Sequence, residues 1–112
     1  MKPRRLNRRL VLETPQRVAD GSGGFAVTWQ PLGTLWAEIT PRTGREAVRE
    51  GAPVSETNYK IVVRGAPVGD PARPAPDQRL RDGTRSFHIQ AVVETDFDAR
   101  YLTCFATEEV AQ

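Results

Sequence analysis

The sequence has one cysteine, one histidine and no long hydrophobic run, and each shortage excludes a class of protein. A lone Cys104 cannot form an intrachain disulfide, which fits a reducing compartment. A structural zinc site needs about four Cys or His ligands, so this chain cannot form one. No apolar run approaches the roughly 18 to 20 residues that span a bilayer, and residues 10–12 are too few for a signal-peptide core. We therefore expect a protein made in the cytoplasm that contacts no membrane.

Residues for acid-base or nucleophilic catalysis are equally scarce. His88 is the only histidine, and strand alternation puts it on the face opposite Phe87 and Ile89. That position favours an exposed or interface imidazole over a catalytic base. Cys104 is expected to be a small core residue, and the acidic stretch 94–98 lacks the ligand set of a calcium loop, so it predicts a solvated turn. We therefore expect no enzyme, no cofactor and no metal.

The length and charge of the chain favour a small subunit of a larger assembly. Domains cluster near roughly 100 to 150 residues, so residues 1–112 are expected to form one domain. Hydrophobic residues make up only 38% of the chain, and contacts between subunits would supply burial that a small core lacks. The net charge is +2, with a basic leader at residues 1–5 and a mostly acidic stretch at 94–109. Such polarity favours head-to-tail stacking over uniform coating of DNA.

The apolar pattern predicts an all-β fold. Nine glycines and nine prolines interrupt any helical periodicity. Alternating apolar and polar residues predict strands at residues 6–14, 25–30, 35–39, 54–64, 87–93 and 101–106. Pro15 is expected to end the first strand, and Pro31 with Gly33 to separate the second from the third. Five to six antiparallel strands favour a small β-barrel or a sandwich, because an open sheet would leave long edges.

Two of the connections have clear compositional signals. The glycine-rich stretch 20–24 predicts a tight hairpin turn, and not a phosphate loop, because no Lys-Ser or Lys-Thr pair and no helix start follow it. The stretch 65–77 contains four prolines among Gly and Ala, which predicts a loop with polyproline character.

The segment 41–54 is polar and predicts either a short helix or a long loop inserted between strands. Three arginines recur in it at three- and four-residue spacing: Arg42, Arg45 and Arg49. A helical turn would put them on one face, where guanidinium groups could bind phosphates. A solvated face is an equally good interpretation, since Glu46 and Glu50 could pair with the arginines.

The order and spacing of these landmarks resemble the phage head-tail adaptor, or head-closure, protein family. The resemblance covers residues 6–108 approximately. It is carried by RLNRRLVL at 5–12, DGSGG at 20–24, TW at 28–29, LWAEI at 35–39, GRE at 44–46, TNYKIVVR at 57–64, FHIQAV at 87–92 and RYL at 100–102.

The resemblance implies a structural virion protein of the head-tail neck, assembled in the host cytoplasm. Such proteins form a small β-barrel, assemble as a homo-oligomeric ring around the DNA channel and retain packaged DNA. Their partners would be the portal and adaptor ring on the head side, the tail terminator or tail tube on the other side, and double-stranded DNA without sequence preference. By position, residues 41–54 would be the excursion that faces the channel, which would place Arg42, Arg45 and Arg49 near DNA.

Two alternatives stay open at this point. A tail-terminator-type neck subunit of similar size would differ in its place in the assembly more than in its chemistry. A nucleic-acid-binding barrel that acts alone, similar to an oligonucleotide-binding fold, is favoured by the basic leader and by Trp29 and Trp36, which could stack on single-stranded bases. The near-neutral net charge counts against it, and aromatics at alternating strand positions are more often part of a core.

Overall fold

The structure is a computed structural model that describes residues 4–96 and 98–111, with all of their side chains except those of Arg49 and Ala111. It contains six strands: β1 (Arg8–Ala19), β2 (Phe25–Arg49), β3 (Ala52–Arg64), β4 (Arg79–Asp82), β5 (Arg85–Glu94) and β6 (Tyr101–Ala111). Neighbouring strands are antiparallel in the order β1-β2-β3-β6-β5-β4, and β4 pairs with β1 to close the sheet. The predicted all-β fold is confirmed, as a barrel and not a sandwich. Residues 4–96 and 98–111 contain no candidate transmembrane helix.

The inner face of the closed sheet is filled by apolar side chains from every strand. The buried residues are Leu10, Leu12, Ala37, Ile61, Val63, Leu80, Phe87, Ile89, Leu102, Cys104 and Ala106. They recur at every second position because successive side chains of a strand point to opposite faces. Fully burying one such Leu, Ile or Phe side chain contributes roughly 1.5 to 3 kcal/mol. The alternation that the sequence predicted for β3, β5 and β6 is therefore confirmed.

The expectation that Pro15 and Pro31 interrupt strands is wrong. β1 continues through Pro15, because β4 pairs with β1 only before that position and a proline on a free edge costs no hydrogen bond to a neighbouring strand. At Pro31 the register with β1 shifts by one residue, which makes a β-bulge at Leu32 instead of a break. The predicted strands 25–30 and 35–39 are therefore parts of the single long strand β2.

Strand β4 closes the barrel and was not predicted. It has four residues, of which only Leu80 is apolar and buried, so it shows almost no alternation. The proline-rich stretch 65–77 leads into it as a loop, as predicted. This loop is held to the barrel by a pair of backbone bonds, in which the Asp77 amide donates to the Ile89 carbonyl at 2.9 Å and the Ile89 amide donates to the Gln78 carbonyl at 2.9 Å.

Two segments reach beyond the barrel and make the molecule elongated, 52 × 32 × 22 Å. The first, the β1–β2 arm (residues 14–30), is a two-stranded hairpin closed by the predicted glycine-rich turn. In that turn Asp20 Oδ1 accepts hydrogen bonds from the amides of Ser22 and Gly24 at 2.8 and 3.1 Å. The second, the β2–β3 extension (residues 41–54), pairs along one side with the end of β6.

Candidate nucleic-acid interface

The β2–β3 extension is a continuation of the sheet, so residues 41–54 form neither the short helix nor the long loop that the sequence predicted. β2 and β3 pair without interruption from Thr43 opposite Asn58 to Arg49 opposite Ala52. The two residues between them have positive φ, 53° at Glu50 and 78° at Gly51. A two-residue hairpin loop of that conformation matches the right-handed twist of the strands, which explains the sharp reversal. The end of β6 adds a third strand, with Val54 opposite Ala111.

A β-bulge at Arg42 decides where the arginines of the extension point. The register between β2 and β3 shifts between Pro41 and Thr43, so Arg42 is an extra residue on β2. Its guanidinium carbon lies 5.1 Å from the ring centre of Phe105, on the outer face of β6. A cation over an aromatic ring at this distance is a stabilising contact.

Arg45 lies on the same outer face, three positions further along β2. Its Nε donates a hydrogen bond to Glu56 Oε1 at 3.1 Å, and Nη2 lies 3.1 Å from the same oxygen. Glu56 stands directly across the strand pair and its side chain is buried, whereas that of Arg45 is 68% exposed. The predicted pairing with Glu46 or Glu50 is therefore replaced by a cross-strand pair. Arg49 ends β2, and its side chain lies outside the described part of the chain.

The bulge, and not a helical turn, thus brings Arg42 and Arg45 to one face. Lys60 adds a third positive charge there, since it is paired in register with Phe105. Among the described residues neither Arg42 nor Lys60 has an ion pair. Cations on a flat strand surface can contact phosphates without reading bases, which gives affinity that does not depend on sequence.

Hydrogen bonds between side chains hold the three strands together beside these cations. Asn58 Nδ2 donates to Thr43 Oγ1 at 3.0 Å, and Thr107 Oγ1 donates to Asn58 Oδ1 at 2.9 Å. One asparagine therefore links β2, β3 and β6 at the base of the extension. The sequence does not predict this link, because nothing in the pattern around Asn58 distinguishes it from other polar strand residues.

Two buried carboxylates elsewhere on the barrel have arginine partners and are structural in character. Glu13 accepts hydrogen bonds from Arg79 Nε at 2.6 Å and from Arg81 Nε at 3.0 Å. Burial alone would raise the pKa of Glu13, but the hydrogen bonds and charges of both arginines outweigh it and lower the pKa. A carboxylate kept ionised in this way is a poor proton donor.

Glu108 forms the second such cluster, at the base of the extension. Arg85 donates to it through Nε at 2.8 Å and Nη2 at 3.0 Å, and the Tyr59 hydroxyl donates at 3.2 Å. The hydrogen bonds from Arg85 lower the pKa of Glu108 against the opposing effect of burial. Burial, followed by the negative charge of Glu108, raises the pKa of Tyr59. The Tyr59 ring packs edge-to-face on Phe87, with centroids 5.1 Å apart, so the cluster joins the core.

The residues considered for catalysis lie apart from one another. His88 points outward, as predicted, with Nε2 3.5 Å from Asp77 Oδ1. Cys104 is buried in the core, and burial raises the pKa of its thiol to about 12, so thiolate is scarce at neutral pH. In the acidic stretch 94–98, Asp96 Oδ1 accepts a hydrogen bond from the Arg100 amide at 2.9 Å. Within residues 4–96 and 98–111, no three Cys, His, Asp or Glu side chains are placed to hold a metal ion.

The expectation that both tryptophans belong to the core is wrong for Trp36 and only partly right for Trp29. Trp36 is 54% exposed on the outer face of β2, directly opposite Arg9 of β1. Trp29, in the β1–β2 arm, is half-buried under the guanidinium of Arg79, 4.2 Å from the ring centre. Both side chains therefore face outward, where a partner could cover them.

Comparison with known proteins decides the family. A family model described as phage head completion protein matches residues 1–109. The chain belongs to the phage head completion protein family. Its structure is also similar to a chain from the virion of a native gene transfer agent particle, with a TM-score of 0.88 and 50% sequence identity over 98% of this chain and 100% of that chain. No curated protein sequence matches.

Head completion proteins are structural components of a virion, so the predicted family and the predicted location in a virion are confirmed. The match covers almost the whole chain, including the β1–β2 arm and the β2–β3 extension. Both protrusions thus lie within the part of the chain that resembles its virion relative, which makes them candidates for contacts within the particle.

Proposed function

We propose that this head completion protein forms a homo-oligomeric ring in the head-tail neck and joins head to tail without enzymatic activity. Residues 1–112 would act as one domain, with the basic leader 1–5 and the loop 65–77 available for contacts. The ring would meet the portal and adaptor ring on its head side and the tail terminator or tail tube on the other. The family description favours head completion over the tail-terminator alternative.

The observation that carries this proposal is the β2–β3 extension. It projects from the barrel, carries no core of its own and presents Arg42, Arg45 and Lys60 on one face. We infer that in the ring this face lines the DNA channel, where Arg42, Arg45 and Arg49 contact the phosphates of packaged double-stranded DNA. A strand pair that projects from the barrel is a suitable element for closing a channel, because it can reach the channel axis.

Replacement of the three arginines tests the channel assignment. We expect particles carrying Arg42→Ala, Arg45→Ala and Arg49→Ala to assemble but to lose DNA, because the charges that hold phosphates are gone. The same variant should also carry Glu56→Gln. Arg45 neutralises the buried carboxylate of Glu56, so removing the arginine alone would destabilise the fold. DNA per particle is measured by nuclease protection.

A control variant with Arg100→Ala removes an exposed arginine outside both protrusions and should retain DNA. Full DNA retention in the Arg42, Arg45 and Arg49 variant, with the chain present at the neck, would remove the channel assignment while leaving the neck assignment intact.

The position of Trp36 gives a specific reason to test the second candidate, a barrel that binds single-stranded nucleic acid by itself. An exposed indole opposite Arg9 could stack on a base while the arginine contacts its phosphate. Titration of the purified chain with short single strands, followed by tryptophan fluorescence, would support this candidate if quenching is strong at low salt and weakens steeply as salt rises. We expect no such quenching.

A further inference from the structure

A groove lies at the end of the barrel opposite the β2–β3 extension. It is lined by Arg4, Leu6, Thr34, Leu35, Trp36, Arg64 and Tyr101. Trp36 is more than half exposed, and Leu35 is only partly buried. Trp36 therefore supplies exposed apolar surface to the groove, whereas Leu35 packs against the core.

Arginines border this groove. Arg9 lies opposite Trp36 in the register of β1 and β2, and Arg64 lies opposite Tyr101 in the register of β3 and β6. Arg4, over the ring of Tyr101 at 5.9 Å, is paired with Glu38 at 3.4 Å. In the part of the chain that the structure describes, Arg9 and Arg64 have no ion pair. The groove thus combines the exposed ring of Trp36 with uncompensated positive charge.

The tip of the β2–β3 extension has the complementary chemistry on the face opposite Arg45. Val48 and Val110 are 66% and 52% exposed there. They stand at either side of β3, with Val48 opposite Pro53 and Val110 opposite Ser55. Glu46 shares this face, and Glu50 lies in the turn; among the described residues neither has an ion pair. The tip is therefore an apolar strip bordered by carboxylates.

The two surfaces cannot meet within one molecule. β3 runs from Ala52 in the extension to Arg64 at the groove, which separates the two by about 40 Å at roughly 3.3 Å per residue. β6 runs in the opposite direction over 11 residues, from Tyr101 at the groove to Ala111 at the extension. Any contact between groove and tip must therefore join two copies of the chain.

We infer that the groove of one copy binds the tip of the β2–β3 extension of the next copy. Val48 and Val110 would cover Trp36, and the carboxylates of Glu46 and Glu50 would face Arg9 and Arg64. A contact between two different surfaces of the same chain is heterologous, and repetition of it generates a ring when the rotation closes. This inference rests on the proposed ring and specifies which surfaces form it.

The contact is compatible with the proposed DNA face. Arg42 and Arg45 lie on the outer face of the extension, whereas Val48, Glu46 and Val110 lie on the other. The extension can therefore cover its neighbour with one face and present cations to DNA with the opposite face.

Disulfide cross-linking in assembled particles tests the contact directly. The variant carries Val48→Cys and Trp36→Cys in one chain, and its natural Cys104 does not compete because it is buried. Under mild oxidation, a head-to-tail ring should give a ladder of dimers, trimers and larger multimers on a non-reducing gel. Each single substitution should give no ladder. A control with Val48→Cys and Val93→Cys, in which the second cysteine replaces an exposed valine outside the groove, should also give none.

A charge exchange keeps the test valid if Trp36→Cys impairs folding. Arg9→Glu with Arg64→Glu, or Glu46→Arg with Glu50→Arg, should each reduce the copies per particle by roughly tenfold, because like charges then meet at the contact. All four substitutions in one chain should restore incorporation. The control Glu94→Arg reverses an exposed charge elsewhere and should change nothing.

The outcomes separate this inference from the proposed function. A chain present at the neck in several copies, with no cross-linked ladder and no rescue by charge exchange, overturns the groove contact and leaves the neck assignment standing. A chain absent from the neck of complete particles overturns the proposed function itself.

Discussion

The barrel and its two protrusions differ in what they bury. The barrel places a continuous apolar cluster inside a closed sheet. The β1–β2 arm is a two-stranded ribbon that exposes Phe25 and Val27, and the β2–β3 extension exposes Val48. Two-stranded ribbons are marginal in water by themselves. The barrel therefore supplies the stability of the chain, whereas the protrusions carry apolar and charged surface that only partners in an assembly can use.

Two phenylalanines give the largest expected contrast between these regions. Phe87 is fully buried and Phe25 is 60% exposed. We expect Phe87→Ala to lower the free energy of unfolding by about 3 to 5 kcal/mol, and Phe25→Ala, a surface change, to alter it by less than about 0.5 kcal/mol. Urea unfolding of both variants measures the difference. Equal effects would mean that the β1–β2 arm contributes to the core after all.

Acid should weaken the barrel through its buried carboxylates. The pKa values of Glu13 and Glu108 are lowered in the folded state, so the unfolded state binds more protons as the pH falls. Stability from both groups is complete above their ordinary pKa of 4.5 and is lost as the pH falls through the lowered folded values. We expect the urea midpoint to fall steadily below that pH.

Glu13→Gln should cost about 1 to 3 kcal/mol at neutral pH, because two arginines lose a charged acceptor. It should also make the acid dependence shallower, since one of the two responsible groups is gone. A Glu13→Gln chain that shows the same acid dependence as the unmodified chain would contradict this account of the buried cluster.

The smallest effect is expected at the tip of the β2–β3 extension. Gly51 has a φ of +78°, where an added Cβ strains the backbone, whereas an added Cβ at Gly44 meets only ordinary contacts. We expect Gly51→Ala to cost roughly 1 kcal/mol and to speed hydrogen exchange in residues 45–56 only. Gly44→Ala, in the same extension, serves as the control and should leave exchange unchanged. Faster exchange throughout the barrel would show that extension and barrel unfold together.

The sequence predicted the strands whose apolar residues alternate clearly, and it did not predict those whose pairing depends on distant parts of the chain. β3, β5 and β6 were predicted because their inner residues, such as Ile61, Phe87 and Cys104, alternate with polar ones over a half-buried sheet. β4 was missed because Leu80 alone marks it, and its pairing with β1 joins residues far apart in sequence. Pro15 suggested a strand end because the sequence does not show which edges lack a neighbour.

The assignment of Arg42, Arg45 and Arg49 to a DNA-contacting site stays a prediction, and the sequence did not predict how these side chains are arranged. The spacing of Arg42, Arg45 and Arg49 is equally typical of a helical turn, and the bulge that brings the first two to one face depends on pairing with β3. Gly51 is the sequence signal for the turn at Glu50 and Gly51, since glycine in a two-residue loop is typical of hairpins. The exposure of Trp36 could not be predicted, because an aromatic side chain on an outer face has the same alternation as one in a core.

Electron cryo-microscopy of particles with and without this chain tests the central claim most directly. We predict that complete particles are filled with DNA and contain a ring of this chain at the neck, and that heads made without it are tailless and emptied of DNA. Heads that stay full and tailed in its absence would contradict the assignment to head closure.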